Sequence, residues 1–349
     1  MEPRDLATLD VIIPNLHRRY SGVTAANRAV APRLARLCAT AWFGNDAPPG
    51  VDRLTWREML VLRFRAARRR QRIWHARRND EMIIGWLLVR LGWHFRLVFT
   101  SAAQRHHTWI SRWLMRRMDS IIATSDISAS YLDRPATIIL HGVDTDAYRP
   151  PADRDAAYAA TGLPGRYAIG CFGRVRPQKG TDVFVAAMCR LLPLHPDFTA
   201  VITGAADDHA FLRGLQARAA AAGLADRVRF LGEVETQEMP RWYQRITIYA
   251  FTSRNEGFGL TLLEAMASGA ALVAARAGAA ERVVANGETG VLIPTDDVDA
   301  LVTALEPLMR EPQRAAAMGA RARERAVAEF SIDAECQQTV AVYAALLDR

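Results

Sequence analysis

Lysine is almost missing from this chain. Lys179 is the only one in 349 residues, so the formal net charge of +8 rests on arginine. Such a balance favours an anionic partner (nucleic acid, acidic lipid or a phosphorylated substrate) and says nothing about fold. Cysteine is scarce too: Cys38, Cys171, Cys189 and Cys336 are scattered, with no CxxC pair. Neither a disulfide framework nor a thiolate zinc site is expected, and a reducing, cytoplasmic setting is. Long apolar runs are absent as well. The best candidate, Met82 to Val89, is far short of the roughly 20 residues a span requires, and Arg90, His94 and Arg96 close it. MEPRDLATLD carries acids and no apolar core, so no secretory signal is read there. Any membrane contact is therefore expected to be peripheral. The strings GxxxxGK[ST] and GxGxxG are missing, which removes the main support for a P-loop NTPase or a Rossmann dehydrogenase.

What is present is a repeated strand–helix pattern, with half the residues hydrophobic, enough for packed cores. The length suits one large domain or two ordinary ones, and the alternation favours two. In the first half, strands are expected at Leu9–Pro14, IWHARR, FRLVFT, SIIATS and ATIIL, with helices at 25–37, 80–91 and 109–118. HGVDTDAYRPP (His141–Pro151) reads as a linker, placing the boundary near 145–165 and the domains at 1–150 and 151–330. The second half predicts strands at Tyr167–Phe172, Thr199–Thr203, Val228–Leu231, Ile246–Phe251, Ala271–Ala274 and Gly290–Ile293. Helices at 297–310, 312–329 and 331–347 close the chain. Consecutive buried strands joined by helices mean an α/β protein with doubly wound parallel sheets.

The chemistry centres on SRNEGFGLTLLEAMASG (Ser253–Gly269), which follows the apolar run ITIYAF. Gly257 and Gly259 let a ligand approach the first N–H groups of the next helix, a setting that favours anions. Glu264 lies within LTLLEAMA, where a carboxylate without partners costs several kcal/mol. Two glutamates eight residues apart, Glu256 and Glu264, could bracket a polyhydroxyl ligand; the bland alternative is an ordinary strand–loop–helix joint. GRVRPQKG brings Arg174 and Lys179 between a strand and a helix, a pairing suited to a diphosphate, or simply two surface cations. Gly22 sits at the first strand-to-helix turn, and His106 and His107 follow the strand FRLVFT, both positions where α/β sheets place ligands. Adjacent histidines point different ways, so at most one is expected to face a site. Residues 52–78 hold ten arginines, with Trp56, Leu60, Val61 and Phe64 at helical spacing. This reads either as a solvated helix face or as an interfacial helix on lipid. Nucleic acid would use the same charges, but no RNP, KH, zinc-finger or helix-turn-helix signature accompanies them. The strings Asp144-Thr-Asp146 and Asp297-Val-Asp299 are explained by a turn and a helix cap, so no metal site is expected.

In order and spacing, GRVRPQKG, FLGEV, EGFGLTLLEAMASG and ETGVLIPTDDVDAL resemble glycosyltransferase family 4, retaining enzymes of the GT-B fold. PNLHRRYSGVT, WHARRNDEM and TSAAQRHHTWISRWLMRRMDSIIATS are similar to lipopolysaccharide core mannosyltransferases. One departure is Ala280 in GAAERVV, where the family often has proline, which leaves the role of Glu281 open. The resemblance implies two Rossmann-like domains facing across a cleft, with 331–349 packing back on the N-terminal one. It further implies that Arg174 and Lys179 hold the donor diphosphate and Glu264 the ribose. Glu256 would meet the transferred sugar, and His106 (or His107) would lie near it. Gly257, Phe258, Gly259, Leu260 and Thr261 would fix sugar and phosphate, Glu233 and Val234 would flank the base, and Gly22 would let its loop approach the diphosphate. His107, Arg68, Arg69, Arg70, Arg112 and Arg116 are candidates for the anionic acceptor or membrane. The implied reaction moves mannose from GDP-mannose to a Kdo-bearing lipid A precursor at the cytoplasmic face of the inner membrane, with no metal or other cofactor. Alternatives are UDP-glucose, UDP-galactose or ADP-heptose as donor, or a non-catalytic basic module binding nucleic acid or lipid.

Overall fold

The computed structural model describes residues 6–17, 22–64 and 70–347. The chain divides into two compact units, one comprising residues up to His141 plus the segment from Ile332, the other Gly142–Ser331.

The first unit is built on seven parallel strands. These are β1 (Val11–Asn15), β2 (Thr40–Gly44), β3 (Asp52–Leu54), β4 (Arg72–Ala76), β5 (Phe95–Ser101), β6 (Ser120–Ala123) and β7 (Thr137–Ile138), in the order β3-β2-β1-β4-β5-β6-β7. A parallel sheet buried on both faces needs near-continuous apolar strands, and every residue of β1 and β4 is buried. On one face Met59, Leu62, Met82, Leu88, Leu114 and Met115 pack against Phe43, Trp74 and Leu97. On the other, Val30 and Leu34 of the helix Gly22–Leu37 and Cys336 and Tyr343 of the helix Ile332–Leu347 cover Ile13, Trp42 and Ile73. The C-terminal helix is also tied in by polar contacts. His75 in β4 bonds through Nδ1 to the Tyr343 hydroxyl and through Nε2 to Thr100 Oγ1 at 2.6 Å. Burial holds this imidazole well below its usual pKa, so it stays neutral.

The arginine-rich stretch holds the helix and the strand that its apolar spacing and the run IWHARR predict. It contributes β3, the helix Trp56–Phe64 and β4, in which Arg72 is fully enclosed and donates to the carbonyls of Arg70 (2.9 Å) and Leu6 (3.2 Å). Neither β2 nor β3 was expected. Both are short and lie among Gly, Pro and Asp residues that read as loop.

Glu81, buried at the start of the helix Asn79–Arg90, accepts from the N–H groups of Arg77 (2.7 Å) and Arg78 (3.1 Å) and from the Arg78 guanidinium (3.2 Å). Desolvation outweighs these contacts and lifts its pKa from 4.5 to about 7. Between those values the folded chain keeps a proton that the unfolded chain has lost, so stability falls as pH rises through that window. The expected loss is on the order of 3 kcal/mol. Urea denaturation at several pH values should therefore show a smaller fall in Glu81→Gln; an identical fall would assign the effect to another group.

The second unit has six parallel strands: β8 (Tyr167–Phe172), β9 (Phe198–Thr203), β10 (Val228–Phe230), β11 (Ile248–Phe251), β12 (Ala271–Ala275) and β13 (Gly290–Ile293), ordered β10-β9-β8-β11-β12-β13. All six fall where the apolar runs predict, within two residues at either end. Chain order reverses between β8 and β11. In an open α/β sheet the loops leaving the strands on the two sides of such a point form a crevice.

Candidate active site

The loop after β8 enters a short 3-10 turn, Pro177–Lys179, and reaches the helix Thr181–Leu191 through Gly180. Gly180 has φ +64°, and a Cβ there would stand 1.9 Å from the Thr252 carbonyl oxygen. Only glycine permits this approach of the β8 and β11 loops. Further contacts join the two: Thr252 Oγ1 donates to the Lys179 carbonyl (3.0 Å), Arg254 N–H to that of Gln178 (2.9 Å), and Gln178 Nε2 to that of Asn255 (3.1 Å). Arg254 also forks onto Asp182 with two 2.8 Å bonds and reaches Asp296 at 3.0 Å. The loops are therefore one cross-linked platform.

On that platform Lys179 forms an ion pair with Glu256, and both side chains are about four-fifths buried. Glu256 also accepts from Ser253 Oγ (3.5 Å) and Gly257 N–H (3.3 Å). Arg174, half exposed, lies 3.2 Å from Asp207, which Arg176 also approaches at 3.6 Å. Two guanidinium groups share one carboxylate, so the β8 loop keeps a surplus positive charge.

Glu264 sits in the second turn of the helix Leu260–Ala267, and Gly259 (φ +99°) precedes that helix. The Tyr243 hydroxyl donates to Glu264 Oε2 at 2.7 Å, and the Tyr148 hydroxyl also bonds this carboxylate. Burial raises its pKa, and the two tyrosines partly offset that rise. Beneath it Tyr243 packs edge-on to Tyr148, Phe172 and, more tilted, Tyr249. The far end of this helix is held by two arginines: Arg323 donates to the Ala267 carbonyl (2.9 Å) and Arg154 to those of Ser268 (2.7 Å) and Gly269 (3.2 Å). Carbonyls at a helix C-terminus otherwise lack partners, and both cations complement its dipole.

The remaining donor-side candidates divide by exposure. Gly257 and Leu260 are half-buried, and Thr261 bonds the Tyr249 hydroxyl. Phe258 is buried and offers only backbone to a ligand, its carbonyl accepting from Ala279 N–H at 2.8 Å. Glu233 is exposed and Val234 half-buried, both just past the end of β10. Glu281 pairs with Arg276 at the surface. Asp144 caps the N–H groups of Asp146 and Ala147 (both 3.1 Å), and Asp297 caps Ala300 N–H at 2.8 Å. Among the described residues no three His, Cys, Asp or Glu side chains converge as a metal site.

Residues 153–325 match the family described as glycosyl transferases group 1. Over 347 residues the chain is 48% identical to the lipopolysaccharide core biosynthesis mannosyltransferase LpcC of Rhizobium leguminosarum bv. viciae, covering 98% of each chain. The chain belongs to the group 1 glycosyltransferases. It is 43% identical to the lipopolysaccharide core biosynthesis mannosyltransferase LpsB of Rhizobium meliloti (strain 1021), over 98% of this chain and 99% of that one. A solved structure of Anabaena Alr3699/HepE in complex with UDP and glucose matches with a TM-score of 0.81 at 19% identity, covering 97% of this chain and 100% of that one. That likeness concerns fold alone, and with the two parallel sheets it assigns the GT-B class.

In the glycosyltransferase's N-terminal unit, chain order reverses between β1 and β4. Arg78 spans that point, donating to Asn15 Oδ1 (2.8 Å) and Thr24 Oγ1 (2.7 Å). Gly22 opens its helix directly after residues 18–21, which lie outside the described residues. His107 is half-buried at the end of β5, with Nε2 3.5 Å from Ser101 Oγ, and burial lowers its pKa. His106 is exposed, its ring edge-on to Tyr131 at 5.3 Å. Arg112 and Arg116 are exposed at the helix Trp109–Met115, with Arg112 3.8 Å from Asp133. Arg70 lies at the opposite end of the sheet from His107, before β4, paired with Asp10. Arg68 and Arg69 fall outside the described residues.

Sequence reasoning did not find Tyr148, Tyr243, Asp207, Arg254 or Arg78. Each acts through partners distant along the chain, which the strings that hold Tyr148, Arg254 and Arg78 do not reveal.

Proposed function

We propose that this enzyme transfers mannose from GDP-mannose to an anionic Kdo-bearing lipid A precursor, with retention at the anomeric carbon and without a metal. The observation that carries this reading is the end-to-end similarity to two lipopolysaccharide core mannosyltransferases, joined to a platform whose groups suit a nucleoside diphosphate sugar. Lys179 would leave Glu256 for the diphosphate, and Arg174 would add a second cation as charge develops on the leaving group. Glu256, freed from the lysine, would accept from hydroxyls of the transferred sugar. Glu264 has about four acceptor positions; two hold tyrosines, which leaves capacity for ribose hydroxyls. His107 or His106 would lie near the reacting sugar, and Glu233 and Val234 near the base. The acceptor hydroxyl would attack on the face the diphosphate leaves, passing its proton to a phosphate oxygen. Catalysis is then mainly positioning and charge stabilisation. A peripheral position at the cytoplasmic face of the inner membrane would bring the enzyme to its acceptor.

Purified enzyme incubated with Kdo-lipid A and, separately, GDP-mannose, UDP-glucose, UDP-galactose and ADP-heptose should yield one hexose addition, by mass, from GDP-mannose. The new linkage should be α by NMR, and EDTA should leave the rate unchanged. Product from another donor alone overturns the mannose assignment. A rate abolished by EDTA and restored by Mg²⁺ overturns the metal-free one.

A further inference from the structure

Between positions 53 and 117 the chain carries sixteen arginines and three carboxylates, although its whole net charge is only +8. The positive charge is therefore concentrated in this stretch of the sequence, although Arg72 and Arg78 are enclosed. Three helices of that stretch, Trp56–Phe64, Asn79–Arg90 and Trp109–Met115, cover a single face of the sheet through Met59, Leu62, Met82, Leu88, Leu114 and Met115. They form a continuous layer. Trp93 Nε1 donates to the Met59 carbonyl at 2.9 Å, the Trp86 and Trp113 rings meet edge-on at 5.1 Å, and Asn79 Nδ2 reaches Ser111 Oγ at 2.8 Å.

The outer side of this layer is apolar where solvent-facing helices are ordinarily polar. Trp56, Leu60 and Phe64 stand one above another at i, i+4 and i+8, all exposed. Ile83, Leu87 and Leu91 repeat that spacing on the second helix and its end, on the side away from Met82, Gly85 and Leu88. Trp109 and Ile110 open the third, with Trp109 71% exposed. Arginines interleave: Arg63 lies over Phe64 (4.8 Å) and Trp93 (5.5 Å), and Arg117 over Trp113 (3.3 Å) and Trp86 (5.8 Å). Arg57, Arg90, Arg112 and Arg116 are exposed beside them. Of the three carboxylates, Glu81 is buried and Glu58 is taken up by Thr55 N–H and Oγ1, each at 2.7 Å.

We propose that this three-helix face docks on an anionic phospholipid leaflet, with the Trp, Leu, Ile and Phe side chains entering the headgroup–acyl boundary and the arginines pairing with lipid phosphates. Charge complementarity selects this occupant. Interfacial helices combine an apolar face with a cationic border, and Trp and Arg suit the boundary itself. A second copy of the chain would bring two arginine borders together, and nucleic acid would gain nothing from covering Leu60, Ile83, Leu87 and Leu91. The proposal deepens the membrane part of the proposed function but needs neither donor nor acceptor sugar, so its test is separate from that of the reaction.

Full-length protein is sedimented with vesicles of phosphatidylethanolamine and phosphatidylglycerol, and with vesicles of phosphatidylcholine alone, none containing a sugar acceptor. Binding is expected to the anionic vesicles and to weaken with salt. The triple variant Leu60→Glu, Leu87→Glu, Trp109→Glu should partition at least ~10-fold less, with an unchanged circular-dichroism spectrum and a cooperative thermal transition as the check on folding. Acyl-chain-brominated lipid should quench wild-type tryptophan fluorescence, a readout that needs no variant. Equal partition of wild type and variant, or binding without quenching, overturns the proposal. So does a concentration-dependent dimer, or oligonucleotide binding without vesicle binding, that the same substitutions abolish.

Discussion

Lys179→Ala is expected to lower turnover by at least ~10²-fold. The magnitude is that for removing one preorganised group that stabilises developing charge. Lys179 is set at the end of a 3-10 turn by Gly180 and by the Thr252 hydroxyl on its carbonyl, so its ammonium is placed before any ligand arrives. Its carboxylate partner, Glu256, sits on the neighbouring loop and is itself a candidate for the sugar. Removing the lysine thus removes a phosphate contact and leaves a partly buried carboxylate beside the vacated position, and both effects oppose an anionic donor. Lys179→Arg should recover little, because a planar fork does not replace a compact ammonium in a tight pair. Arg174→Ala is expected to fall on the same scale in turnover, with Asp207 then left to Arg176. Steady-state kinetics decide this: near wild-type turnover in both variants would take the diphosphate out of this loop.

The second large effect concerns Glu264. Glu264→Gln should raise the KM for the nucleotide sugar by roughly 10- to 100-fold with a smaller change in kcat, the range for hydrogen bonds to a charged rather than a neutral acceptor. The pH dependence carries a sign. Burial raises the Glu264 pKa, so as pH falls through that raised value the carboxylate takes up a proton and loses acceptor strength. Wild-type KM should climb towards acid pH, whereas the Gln profile stays flat over the same range. Tyr243→Phe, which removes one donor to the carboxylate, should shift the wild-type rise to higher pH. Parallel profiles for wild type and Gln would separate Glu264 from donor binding.

The second unit was readable because its information is local. YAIGCF, FTAVIT and ALVAA are unbroken apolar runs, and a parallel strand buried on both faces leaves that trace. Glu264 stood out because a carboxylate inside LTLLEAMA demands a partner. What that partner is could not be read: Tyr243 and Tyr148 approach it from a helix and a linker whose sequences, RWYQR and DAYRP, carry no periodic signal. The same limit applies to Arg254, whose hold on Asp182 and Asp296 joins its loop to the helix Thr181–Leu191 and to the segment after β13. In the N-terminal unit the arginine stretch carried two readable signals, helical spacing from Trp56 to Phe64 and the strand IWHARR, and both elements are found. What could not be read is that Arg72 is taken inside as a strand residue with backbone carbonyls for partners. Helical spacing grouped Trp56, Leu60, Val61 and Phe64; Val61 is half-buried and the other three are exposed on one face. Spacing alone could not tell whether that face looks into the core or out of it.

The most direct test of the account is a crystal structure of the full chain with GDP bound. The diphosphate is predicted within hydrogen-bonding distance of Arg174 and Lys179, with the Lys179–Glu256 pair opened and the ribose hydroxyls on Glu264. GDP seated away from all three residues, or bound with that pair intact, would contradict it.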